Sequence, residues 1–142
     1  MLMKNKVQII AEAGLNHNGQ FDLAIKLIDI ACEAGTDTIK FQTSIPKLGV
    51  STKYMKKANY QLSMTDPSET FLEMCERMHL PLEDYEKLKA YSEKHGIQFL
   101  STPFDIVSIK HLDNLGVECF KIPSGEITDV VYMREIGRLN KY

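Results

Sequence analysis

Three times along this chain a helical stretch ends in glycine, a short apolar run follows, and polar residues close the run. Ala34-Gly35 leads into Thr38-Ile39-Lys40-Phe41-Gln42-Thr43, His95-Gly96 into Ile97-Gln98-Phe99-Leu100-Ser101-Thr102, and Leu115-Gly116 into Val117-Glu118-Cys119-Phe120-Lys121-Ile122. Glycine just past a helix takes the left-handed conformation that other residues resist. The β-branched and aromatic residues that follow suit a strand. Between these runs the apolar residues recur at helical spacing: Leu23, Leu27, Ile28 and Ala31; then Leu82, Tyr85, Leu88 and Tyr91; then Val107, Leu112 and Leu115; then Val130, Met133, Ile136 and Leu139. Val7–Ala11 supplies a first strand. The pattern predicts strand and helix in alternation, four times over, and hence a parallel sheet with helices packed outside it. An open doubly wound sheet and part of an eight-stranded barrel both satisfy it.

One long interruption, Ser44–Leu80, separates the second predicted strand from the next helix. It carries Pro46, Gly49 and Pro67, and a short helix is expected over Ser68–Met78, where Phe71, Leu72, Cys75 and Met78 recur at helical spacing. Long loops at sheet ends serve function or decoration.

Composition narrows the function classes. With 44% hydrophobic and 25% charged residues in 142, the chain can fill a core and cover it. A net charge of −2, with lysines and acids interspersed, argues against a general nucleic-acid binder. No apolar stretch reaches the roughly 18 residues of a spanning helix, and Glu12 interrupts what could have been a leader. Cys32, Cys75 and Cys119 are odd in number and far apart, fitting neither a disulfide framework nor a zinc pattern. Buried thiols in a reducing cytoplasm are the expectation.

Every predicted strand delivers polar residues to its carboxyl end, where parallel α/β enzymes hold their active sites. The first brings Glu12, then Gly14-Leu15-Asn16-His17-Asn18-Gly19. The second brings Lys40 and Gln42, the third Ser101-Thr102-Pro103-Phe104-Asp105, and the fourth Lys121, Ser124, Gly125 and Glu126. Lys40 and Gln42, two apart, share a face opposite to Ile39 and Phe41. A lysine in an apolar strand is costly to bury without an anionic partner, so Lys40 and Lys121 together suggest an anion pocket. Ser124 and Gly125 add donors, while Glu12 and Glu126 suit proton transfer. Alternatively, Glu12 forms a salt bridge with one of the lysines and His17 caps a turn. Asp105 reads as a helix N-cap. His79, His95 and His111 read as solvated, and Met64, Met74 and Met78 as packing.

Four phrases resemble the sialic acid synthase family in its order: Ile10-Ala11-Glu12-Ala13-Gly14-Leu15-Asn16-His17-Asn18-Gly19, Ile39-Lys40-Phe41-Gln42-Thr43, Phe99-Leu100-Ser101-Thr102-Pro103-Phe104-Asp105, and Phe120-Lys121-Ile122-Pro123-Ser124-Gly125-Glu126-Ile127. Lys57-Ala58-Asn59-Tyr60-Gln61 is most similar to the bacterial neuraminate or legionaminate branch.

The resemblance implies a TIM-type (β/α)8 barrel, of which residues 1–142 would form the first four strand–helix units, with the second half and a C-terminal antifreeze-like domain outside this sequence. It implies attack by C3 of phosphoenolpyruvate (PEP) on the open-chain aldehyde of an N-acetylated amino sugar, with water adding at C2 and phosphate leaving. Lys40, Gln42, Lys121 and Ser124 match positions that hold PEP, Thr102 one that lines the pocket, and Glu12 and Glu126 acids near the sugar. A divalent metal, manganese or magnesium, is implied, but its two histidine ligands match nothing in this sequence. A homo-oligomer is also implied. Activity is expected only of the full-length enzyme. A non-catalytic half-barrel that binds PEP or a sugar phosphate, a self-pairing structural half-barrel, and another PEP-dependent 3-deoxy sugar acid synthase are the alternatives.

Overall fold

The computed structural model describes residues 7–142. In it three parallel strands, β1 (Ile10–Gly14), β2 (Thr38–Thr43) and β3 (Gln98–Pro103), lie side by side in chain order. Helix α1 (Phe21–Glu33) connects β1 to β2, and α5 (Leu82–Lys94) leads into β3. Beyond β3 come α6 (Ile106–Asn114), a 3₁₀ turn at Ser124–Glu126, and α7 (Val130–Arg138). The sheet is not closed into a barrel.

Strand alternation divides the sheet into two faces. Ile39 and Phe41 of β2 and Phe99 of β3 are buried in one core with Ala24, Ile28 and Ala31 of α1 and Tyr85 and Leu88 of α5. Each of the larger aliphatic and phenylalanine side chains contributes roughly 1.5–3 kcal/mol of burial. Hydrogen bonds pin this face where polar atoms enter it: Thr43 Oγ1 and Ser101 Oγ lie 2.6 Å apart, and the Tyr85 hydroxyl donates to the Gln42 carbonyl at 2.6 Å. The opposite face presents Glu12, Lys40 and Gln42, of which Lys40 and Gln42 are half-buried.

The glycines of the repeat, Gly35, Gly96 and Gly116, all have φ between +70° and +75°, as the helix–glycine–strand reading requires. Asp105 caps α6, its carboxylate accepting from Ser108 N at 2.8 Å, and it also holds Ile45 N at 2.8 Å, tying the start of the long insertion to the end of β3.

Two strand expectations are corrected. The first strand starts at Ile10 rather than Val7, and Val7 and Ile9 are exposed. The fourth does not form. Val117 and Phe120 are both buried although strand alternation would send them to opposite faces. The Phe120 N–H donates to Tyr142 O at 2.7 Å, and Tyr142 N to Glu118 O at 3.3 Å. One contact with β3 survives, Lys121 N to Ser101 O at 3.4 Å.

The insertion is more helical than its sequence suggests, with α2 (Pro46–Gly49), α3 (Asn59–Met64) and α4 (Phe71–Met78). Helix α4 starts in a capping box in which Glu73 N donates to Thr70 Oγ1 at 3.2 Å and Thr70 N to Glu73 Oε2 at 2.8 Å.

Candidate active site

Parallel register places Glu12, Lys40 and Leu100 in one row across the sheet, and Gln42 beside Thr102 one row further on. Side chains in such rows point to the same face. The Lys40 ammonium accordingly forms an ion pair with the Glu12 carboxylate and lies 3.5 Å from Thr102 Oγ1. The Lys40 side chain is only 12% exposed, which explains why it takes the nearest carboxylate. Of the two readings of Glu12, the salt bridge to a lysine is the one observed.

The register slips between Glu12 and Gly14, so that Gly14 faces Phe41 with φ +53°. A Cβ there would sit 3.2 Å from Glu12 Oε1 and 3.6 Å from Gln42 Nε2. The glycine bulge thus leaves room for both side chains, a device that recurs where strands re-aim functional groups.

Glu126 and Gln42 both line a cleft of about 240 Å³ between the strand ends and the insertion. Its other walls are largely apolar, with Leu15, Met55, Phe71, Met74 and Met78 among them. Burial, and secondarily the charge of Asp129, pushes the Glu126 carboxyl above the usual carboxylate range. A carboxyl so placed is suited to holding or releasing a proton nearer neutral pH.

The site residues expected from sequence are thus only partly assembled. Glu12, Lys40, Gln42 and Thr102 meet on one face; Glu126 joins them through the cleft. Lys121 and Ser124 are exposed, and among the described residues their side chains make no hydrogen bond or ion pair. The structure does not bring the two lysines together, because the Lys121 segment does not enter the sheet beside Lys40.

His17 does cap a turn, whereas His79 and His111 are not solvated, contrary to their sequence reading. His17 is fully buried: its Nδ1 accepts from Gly19 N at 3.2 Å, and burial, with His79 adding to it, lowers its pKa to about 4. His79 is also held below its usual range, chiefly by burial. The Nε2 atoms of His17, His79 and His111 are buried without a hydrogen-bond partner among the described residues, and only His95 is exposed. Of the methionines expected to pack, Met74 is buried whereas Met64 is 83% exposed.

A clasp that sequence reasoning missed fastens the insertion to the loop after β1. Arg77 pairs with Glu69 (Nε–Oε1 2.8 Å) and donates to Asn18 Oδ1 at 2.9 Å, and Lys57 donates to Glu69 Oε2 at 3.1 Å. Gly19, at φ +72°, packs so tightly that a Cβ would lie 2.1 Å from the Arg77 carbonyl oxygen. The signal was present in the Asn18-Gly19 pair, but its partner lies 59 residues away from Asn18.

Residues 27–142 match the NeuB family. The chain belongs to that family. This NeuB-family chain is 49% identical over 136 residues to the N,N'-diacetyllegionaminic acid synthase of Campylobacter jejuni, covering 96% of itself and 40% of that protein. It is 46% identical over 126 residues to the enzyme of the same name from Legionella pneumophila, covering 89% of itself and 35% of that protein. Among solved structures it is similar to the N-acetylneuraminic acid synthetase of Leptospira borgpetersenii in complex with citrate, with a TM-score of 0.77 and 26% identity over 99% of this chain and 47% of that one. The chain therefore spans less than half the length of these relatives. The divalent metal implied by resemblance finds no donor set here: among the described residues no three His, Cys, Asp or Glu side chains converge. No helix among the described residues is long and apolar enough to cross a membrane.

Proposed function

We propose that this NeuB-family chain carries the PEP-binding side and part of the sugar side of a synthase that condenses PEP with an N-acetylated amino sugar, N-acetylmannosamine or a 2,4-diacetamido relative. The products are a nonulosonic acid and phosphate. The supporting observation is the row of Glu12, Lys40, Gln42 and Thr102 at the strand ends of a chain 49% identical to a diacetyllegionaminate synthase. Lys40, with Gln42 and Thr102 beside it, takes the PEP anion, exchanging its bond to Glu12 for one to the ligand. Lys121 and Ser124 close on the same anion. Displaced from Lys40, Glu12 is left to handle a proton, and Glu126 does so from the cleft. C3 of PEP bonds to the aldehyde carbon, whose oxygen takes up a proton; water adds at C2 and the C2–O–phosphate linkage is lost with phosphate. The whole reaction belongs to an assembly, a homo-oligomer of the longer chain, that includes the remainder of the barrel. The free cysteines fit a reducing, cytoplasmic setting.

Calorimetric titration of PEP into the chain, beside Lys40→Ala and Lys121→Ala, tests the reading. Each substitution removes a charge-assisted bond worth about 1.5–3 kcal/mol and should weaken binding tenfold or more. A folded chain that takes up no PEP, or variants that bind it equally well, would refute the assignment. Binding without phosphate release on adding N-acetylmannosamine would instead favour a module that binds without turnover.

A further inference from the structure

We propose that His17 and His79, joined by one buried water, form a pH-sensitive latch that holds the helical insertion against the loop after β1. Each ring is fixed by a backbone partner, and the two partners fix opposite tautomers. His17 Nδ1 accepts from the Gly19 N–H at 3.2 Å, so in the neutral ring the proton is on Nε2. His79 Nδ1 lies 2.8 Å from the Cys75 carbonyl oxygen, which can only accept, so its proton is on Nδ1 and Nε2 is an acceptor. Both Nε2 atoms are buried without a hydrogen-bond partner among the described residues. One is a donor and the other an acceptor, and a single water satisfies both. Buried waters take such places between polar groups otherwise unpaired. The rings are near enough for the charge of His79 to be felt at His17. Gly19 lies at the same junction, where a Cβ on it would be 2.1 Å from the Arg77 carbonyl oxygen and 3.8 Å from that of His79. The chain of hydrogen bonds then runs one way, from the Gly19 N–H through His17, the water and His79 to the Cys75 carbonyl of α4.

A proton breaks this chain wherever it is taken up. On His17 it must go to Nδ1, which ends the bond from Gly19. On His79 it must go to Nε2, which turns the acceptor into a second donor. Both rings accordingly resist it: burial, then the charge of His79, lowers the pKa of His17 to about 4, and burial holds His79 below its usual range. The groups around the pair do not reverse this. Phe41 of β2, its ring centroid 6.0 Å from that of His17, brings no charge. Asp105, at the end of β3, favours a charged His79, but its carboxylate already holds Ile45 N and Ser108, and burial outweighs it. Burial keeps Cys75 of α4 a thiol. Glu126, which lines the same cleft as His79, is itself pushed up by burial. In the clasp, Arg77 holds Glu69 below the usual carboxylate range, so the clasp stays charged while the histidines titrate. With the junction shut His17 titrates near pH 4, and with it open near 6.5. Opening is therefore independent of pH above 6.5 and grows more frequent below it.

The test is amide hydrogen exchange on the full chain across a pH series, with ring-nitrogen NMR and a crystal structure at neutral pH. The NMR should find the proton of His17 on Nε2 and that of His79 on Nδ1. The crystal structure should place one water within hydrogen-bond reach of both Nε2 atoms. After correction for intrinsic exchange, opening of the β1–α1 loop and of α4 should rise together by about twentyfold from pH 7 to pH 5, while β2 and β3 keep their protection. His17→Gln should remove most of that pH dependence; if the variant does not fold, the wild-type series decides alone. Rings that share one tautomer, or rings too far apart for one water to touch both, overturn the latch. So does a loop that opens without α4, or a loss of protection spread equally over β2 and β3.

Discussion

Lowering the pH from 7 to 5 should cost the fold about 2 kcal/mol through His17 alone. Its pKa falls from 6.5 to about 4 because the ring is buried and faces His79. The unfolded chain takes up the proton near pH 6.5, the folded one only near pH 4. The stabilisation is therefore complete above pH 6.5 and is lost as pH falls through the window from 6.5 to 4. At about 1.4 kcal/mol per unit, the whole window is worth about 3 kcal/mol, and most of it is spent by pH 5. With a urea slope of about 2 kcal/mol per molar, the midpoint should drop by about 1 M. The chain has no tryptophan, so far-ultraviolet circular dichroism is the natural signal. His17→Gln removes the titration and should flatten the midpoint's dependence on pH over this interval, whatever its own stability. Parallel pH profiles for the two proteins, or a folded-state His17 resonance titrating near 6.5, would refute the reasoning.

Other expectations rest on single contacts. Gly19→Ala places a methyl 2.1 Å from the Arg77 carbonyl at a positive φ, so it should separate the β1–α1 loop from α4 and raise amide exchange in both, a change hydrogen-exchange mass spectrometry would localise. Asp105→Ala removes the α6 cap and the Ile45 anchor together, and chemical denaturation should report a loss of about 1–3 kcal/mol. Tyr132→Phe loses the bond its buried hydroxyl donates to Pro103 O at 2.8 Å and should cost about 1 kcal/mol by the same assay; no change would mean that water replaces it.

The α/β pattern was legible because glycine and helical periodicity are local. Gly35, Gly96 and Gly116 stand at left-handed positions, and α1, α5, α6 and α7 begin and end within a few residues of their expected limits. Lys40 and Gln42 share a face because alternation alone dictates it. The fourth strand was misjudged because its composition is that of a strand, whereas a strand needs a ladder, and of that ladder only the bond from Lys121 N to Ser101 O forms. The burial of His79 was unreadable for a similar reason. A histidine at a helix end looks solvated until the packing around it is known, and His79 directly follows α4. The Glu12–Lys40 pair was one of two stated alternatives, and only the register could decide between them.

Strand order that follows chain order has a consequence for vectorial synthesis. As the chain leaves the ribosome, β2 finds β1 already made and β3 finds β2, so no strand waits for a partner not yet translated. The cleft does not share this property. Its methionine wall is made before β3, yet Glu126 on its far side emerges nearly fifty residues after Met78. The sheet can therefore be assembled progressively during translation, while the candidate site is completed only afterwards.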